Sequence, residues 1–73
     1  MRIEYRLCVG KATAEDGAVH ITYGVELWED GERERSIPDV SLDYKRISDW
    51  VSLCNELELD PIHLDDVIED FFS

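Results

Sequence analysis

Cations are scarce in this chain: seven Lys and Arg stand against eighteen Asp and Glu in 73 residues, a formal net charge of −11. That balance argues against polyanion binding, because nucleic-acid backbones and anionic lipid surfaces attract cationic patches. Cysteine is scarce too. Cys8 and Cys54 alone make no disulfide framework, and a reducing compartment leaves both as free thiols. Long apolar runs are missing: in Met-Arg-Ile-Glu-Tyr-Arg-Leu-Cys at the N-terminus charges interrupt the apolar residues. Neither a leader's apolar stretch nor a membrane span is expected, and the cytoplasm is the expected compartment. A phosphate loop, a zinc spacing and a calcium-loop pattern are all absent. With no cofactor motif and no set of acid, base and nucleophile, enzyme is the least expected class.

What is present is enough apolar material to fold. The apolar fraction is 44%, with two Trp, three Tyr and two Phe, well above the level of disordered chains. The length supports one modest core, hence a single domain over 1–73. A core of that size nets only about 3–5 kcal/mol unaided, which keeps a homodimer in view.

From Arg2 to Val9 the residues alternate, with Ile3, Tyr5, Leu7 and Val9 on one face and Arg2, Glu4, Arg6 and Cys8 on the other; this is a half-buried strand. Val19 to Trp28 alternates likewise, Val19, Ile21, Tyr23, Val25 and Leu27 inward. Glu-Asp-Gly occurs at Glu15 to Gly17 and at Glu29 to Gly31, and a left-handed Gly suits a chain reversal at each. A three-residue first loop sets Val9 against Tyr23, Leu7 against Val25 and Tyr5 against Leu27, whereas a two-residue loop mismatches the faces. The second hairpin stays open between a three-residue loop, pairing Tyr23 with Ile37, and a two-residue loop, pairing Glu26 with Arg35 and Trp28 with Arg33. The third strand, about Glu32 to Ile37, is mostly charged and ends before Pro38, which suits a sheet edge.

Ser41 is the expected N-cap of a first helix. At about 100° per residue Leu42, Ile47, Trp50, Val51, Leu53, Cys54 and Leu57 share a broad face meant for the sheet, with Lys45, Ser48, Asp49, Ser52, Asn55 and Glu56 opposite. Asp60 and Pro61 break the chain. A second helix places Leu64, Val67, Ile68, Phe71 and Phe72 on one side and Asp65, Asp66, Glu69 and Asp70 on the other. The expected fold is therefore α+β: a small three-stranded antiparallel β-sheet, a meander over 1–37, followed by α-helices at 41–58 and 62–72 packed on one face.

The last eighteen residues carry seven carboxylates and no Lys or Arg. In the second helix Asp65 and Glu69, like Asp66 and Asp70, stand four apart and repel by about 0.2–0.5 kcal/mol per pair. Solvation alone accounts for such a face, but docking of a basic partner would use it. Trp28, turned away from the core by the alternation, is the aromatic suited to an interface, unless it lies over an Arg6 or Arg33 stem. His63 beside Asp60, Asp65 and Asp66 suggests a weak divalent-cation site, though carboxylates on a convex helix face do not converge on one ion. Cys54, mid-stripe, reads as a small core hydrophobe, and Cys8 has no base beside it.

Val40 to Phe72, above all Pro-Ile-His-Leu-Asp-Asp-Val-Ile-Glu-Asp-Phe-Phe from Pro61, together with Tyr-Gly-Val-Glu at Tyr23 to Glu26, resembles an uncharacterised domain-of-unknown-function family of short proteins from anaerobic Gram-positive (clostridial) bacteria. The resemblance implies a sheet followed by helices and transfers no activity or site. The residues themselves favour a small acidic protein-interaction module, with Trp28, Asp65, Asp66, Glu69 and Asp70 as its contact residues and a basic protein, or a second copy, as partner. The alternatives are a nucleic-acid mimic that inhibits a basic protein and a weak divalent-cation binder. No cofactor, nucleic-acid or membrane partner is expected.

Overall fold

The computed structural model describes residues 2–72. Three strands, β1 (Ile3–Thr13), β2 (Val19–Glu29) and β3 (Glu32–Ser41), form an antiparallel sheet in the order β1-β2-β3. Two helices follow, α1 (Tyr44–Glu56) and α2 (Leu64–Phe72), with a 3₁₀ turn at Pro61–His63 leading into α2. Both helices lie on one face of the sheet, the α+β arrangement the patterning implies.

The first hairpin has the register the alternation demands, Val9 opposite Tyr23, Leu7 opposite Val25 and Tyr5 opposite Leu27. The Ala14 amide donates to the Ala18 carbonyl at 2.8 Å, which leaves Glu15, Asp16 and Gly17 as the three-residue loop. The strands themselves run longer than expected, to Thr13 opposite Val19.

The second hairpin takes the two-residue loop. Asp30 and Gly31 have φ of 51° and 85°, a type I′ turn whose twist matches the strands, and Trp28 pairs with Arg33. One bulge later the register moves to Leu27 with Arg35 and Val25 with Ile37, so neither Glu26–Arg35 nor Tyr23–Ile37 forms. A second, wider bulge sets Pro38, Asp39 and Val40 opposite Gly24 before Tyr23 meets Ser41. Because the bulge absorbs the proline's missing donor, β3 continues through Pro38 to Ser41 rather than ending at Ile37. Gly24 makes this possible: a Cβ there would stand 2.3 Å from the Ile37 carbonyl oxygen and 2.8 Å from Pro38 Cα.

Extension of β3 displaces the helix start. Ser41 ends the strand, its Oγ accepting from the Asp43 amide at 3.0 Å. Asp43 is the N-cap instead, its Oδ1 accepting from the Arg46 amide at 3.2 Å. At the other end Leu59 N–H returns to the Cys54 carbonyl at 3.0 Å across Glu58, which takes φ 51° without being glycine. This is a Schellman closure.

The core joins Tyr5, Val25 and Leu27 of the sheet to Ile47, Trp50, Val51 and Cys54 of α1 and Leu64 of α2. Three residues of the expected helix face stay out of it: Leu42, Leu53 and Leu57 are 68%, 42% and 69% exposed. Leu42 precedes the helix, and Leu53 and Leu57 lie on the flank facing away from the sheet. Val9, Val19 and Ile21 are also exposed, because β1 and β2 project past the helices as a two-stranded arm.

Asn55, expected on the solvent side, anchors α1 to the sheet. Its Oδ1 accepts from the Tyr5 amide at 2.7 Å and its Nδ2 donates to the Tyr5 carbonyl at 2.8 Å, while the Tyr5 hydroxyl donates to the Leu59 carbonyl at 2.7 Å. Asn55→Leu, which leaves both Tyr5 backbone groups without that partner, is expected to cost about 1–3 kcal/mol in urea denaturation. Gly24→Ala is expected to cost about 1–3 kcal/mol through the forced contact with β3.

Candidate functional site

The two expected contact features do not share a surface. Trp28 alternates with Leu27 and therefore lies on the helix-free face of the sheet, half-buried. The Arg6 guanidinium sits 4.1 Å above its ring, and its indole N–H donates to Glu26 Oε1 at 3.1 Å. Glu26 also pairs with Arg33 at 3.3 Å. A shallow recess of about 140 Å³ beside it is lined by Arg2, Glu4, Arg6, Trp28 and Gly31. Trp28 is thus engaged within the chain by a cation over its face and an acceptor at its edge.

On α2 the four acidic residues divide by direction. Asp65 meets Arg35, Nη2 to Oδ1 at 2.8 Å and Nη1 to Oδ2 at 3.3 Å, so the face is not free of cations as its sequence neighbourhood suggested. Arg35 arrives there because the bulge turns it onto the helix side opposite Leu27. Its guanidinium holds the Asp65 carboxyl below the usual carboxylate range. Glu69 lies on the same flank of the helix, while Asp66 and Asp70 lie on the other. Both are exposed, and neither forms an ion pair among the described residues.

That other flank borders a groove. Between the helices an apolar trough of about 200 Å³ is walled by Trp50, Leu53, Cys54 and Leu57 of α1, by Leu59, and by Val67 and Phe71 of α2. At one end Trp50 packs edge-on against Phe72, ring centroids 5.4 Å apart. Arg46 closes the same end, its guanidinium 5.3 Å from the Phe72 ring and bonded to the Phe71 carbonyl. Along the sides, at about 100° per residue, Asp49 and Glu56 flank Leu53 on α1, and Asp66 and Asp70 flank Val67 on α2. Asp49 is within 3.7 Å of Lys45; the other three are unpaired among the described residues. The sequence concealed this groove because its apolar walls looked like core.

The groove's thiol is inert. Cys54 is 4% exposed, and burial pushes it up to about 11. Cys8, half-buried on the helix-free face, is also raised, first by burial and then by Glu26. Among the described residues no three of His, Cys, Asp and Glu are grouped to hold a metal. His63 is exposed at the end of the 3₁₀ turn. No helix of the described residues is long and apolar enough to cross a membrane.

The chain belongs to the family of unknown function DUF6514, whose model matches residues 1–73. No curated protein and no solved structure is found to match it.

Two outcomes follow from these geometries. Alkylation of Cys54 by a thiol reagent at pH 7 is expected to run far below the rate of an unhindered cysteine and to rise as pH approaches 11; rapid labelling at pH 7 would contradict the burial. For Asp65 the folded-state value is depressed, so its contribution is present above the unfolded carboxyl's range and is lost as pH falls from there through the lower folded-state value. The thermal-stability difference between the native chain and Asp65→Asn should accordingly be measurable at neutral pH and vanish in acid.

Proposed function

We propose, for this member of a family of unknown function, that it is a small acidic interaction module whose groove between α1 and α2 seats a basic amphipathic segment of a partner protein in the cytoplasm. The observation that carries the reading is an apolar trough bordered by carboxylates. Leu57 and Phe71 stand 69% and 44% exposed at its walls, although a domain with so small a core gains most by burying such residues. A helix presenting leucines or aromatics at i, i+3 and i+7 fills such a trough. Lys and Arg on its flanks would meet Glu56, Asp66 and Asp70, which steer association and fix orientation more than they add affinity. A nucleic-acid mimic has no use for the apolar floor, and a polyanion would meet repulsion here.

The contact set differs in part from the one the sequence suggested. Asp66 and Asp70 stay in it, Leu53, Leu57, Val67 and Phe71 join it, and Asp65 serves the fold through Arg35. A synthetic helix of alternating Leu and Lys pairs is a direct probe. Titrated into the labelled protein, it should shift the amides of Leu53, Leu57, Val67 and Phe71, with binding weakened by added salt. Asp66→Asn with Asp70→Asn should weaken it about 3- to 10-fold, two exposed pairs at about 0.3–0.7 kcal/mol each. Shifts confined to the helix-free face around Trp28, or binding indifferent to salt, would sink the proposal.

A further inference from the structure

The projecting arm of β1 and β2 is a second, separate surface. Its strands read Val9-Gly10-Lys11-Ala12-Thr13 and Val19-His20-Ile21-Thr22-Tyr23, with Lys11 as the sole Lys, Arg, Asp or Glu in a chain that is 34% charged. Val9, Val19 and Ile21, on the face the helices cover elsewhere, are 65%, 62% and 55% exposed. An isolated two-stranded ribbon is marginal in water, and an open edge of this length invites another strand.

Hydrogen-bond parity identifies which backbone groups are open. Arg2 and Ala14 bond across to Asp30 and Ala18 of the β2 side, so the even-numbered residues of β1 face β2. The odd-numbered ones face outward, as the capture of Tyr5 by Asn55 shows directly. Asn55 closes the edge at Tyr5, and the turn closes it after Ala14. Between them Leu7, Val9, Lys11 and Thr13 present outward amides and carbonyls that no bond engages among the described residues. This window is symmetric about Gly10. β2 offers less, since β3 covers it as far as Tyr23, leaving only Ile21 and Val19.

We infer that the open edge of β1 pairs with the same edge of a second copy, antiparallel, about a two-fold axis at Gly10. Leu7 of one copy then faces Thr13 of the other and Val9 faces Lys11, each pair exchanging both backbone bonds. The result is one six-stranded sheet in the order β3-β2-β1-β1-β2-β3. No other register uses the whole window: a shift of two residues toward the turn sets Lys11 against Lys11, and one toward the N-terminus runs into the Asn55 clasp. Charge agrees with the pairing. The arm carries no carboxylate along its strands, so two copies each at −11 approach where repulsion is least. A two-fold, self-complementary contact is the commonest form of association for soluble proteins.

Sedimentation equilibrium of the full chain tests this over concentrations up to millimolar. A mass rising toward twice 8.5 kDa is expected, with association strengthened by salt as the repulsion between like-charged copies is screened. Val9→Pro removes an outward amide and no bond within the chain, and should return the protein to monomer with its circular dichroism unchanged. Should that variant unfold, cysteine cross-linking decides. At Gly10 an added Cβ meets only Thr22 Oγ1 at 3.6 Å, and a non-hydrogen-bonded pair across the axis has Cα atoms about 4.5 Å apart, within disulfide reach. In a Cys8→Ser background Gly10→Cys should oxidise to a covalent dimer while Thr13→Cys does not. A monomer at every concentration, or cross-linking as ready through Thr13→Cys as through Gly10→Cys, overturns the inference.

Discussion

Tyr5 is held three ways, and the rest of the molecule is arranged around that hold. Its ring enters the core, its amide and carbonyl are bonded by Asn55, and its hydroxyl donates to the Leu59 carbonyl. The last turn of α1 and the chain just beyond it are thereby fixed to one edge strand. Burial pushes the phenol up to about 12, so it keeps its proton and its bond through the neutral range. Because Leu59 is drawn back across the end of α1 by the left-handed Glu58, the chain leaves in the direction that lays α2 beside α1. The trough between the helices is a consequence of that return.

The same clasp divides the sheet. At Tyr5 the edge of β1 is closed by a side chain; from Leu7 onward it is open. The helix layer covers only the rows near Tyr5, Val25 and Leu27, and no third helix among the described residues covers Val9, Ile21 and Val19. Two incompletely covered surfaces result, and they differ in chemistry. The trough is apolar with carboxylate borders, suited to a basic amphipathic partner whose hold weakens with salt. The arm edge is backbone with almost no charge, suited to a copy of itself whose association salt strengthens. Opposite responses to ionic strength separate the two on one protein sample.

Much of this fold could be read from the residues. The alternation in Ile3-Tyr5-Leu7 and Tyr23-Val25-Leu27 specified the first hairpin's register, since a one-residue slip would have turned every side chain over. Glu-Asp-Gly marked both turns, and Leu64, Val67 and Ile68 marked α2. What escaped depended on groups distant in sequence. Nothing local announces that Gly24 makes room for the backbone of Ile37 and Pro38, so β3 was expected to stop at the proline and Ser41 to cap the helix. Asn55 looked solvent-bound because its partner lies fifty residues away. Arg35 reaches Asp65 only after a bulge rotates it by one position. Periodicity separates apolar from polar but does not tell which apolar residues the sheet is wide enough to cover, so Leu53 and Leu57 were counted as core and the groove they wall went unseen.

Amide hydrogen exchange, resolved by residue and run at low protein concentration, tests the organising role of Tyr5 most directly. All odd-numbered amides of β1 point out from the sheet, so without the clasp they would exchange alike. The Tyr5 amide should be strongly protected while those of Val9 and Lys11 exchange freely. Asn55→Leu should abolish the difference. A Tyr5 amide exchanging as fast as Val9 in the native chain would show that Asn55 does not hold the strand edge.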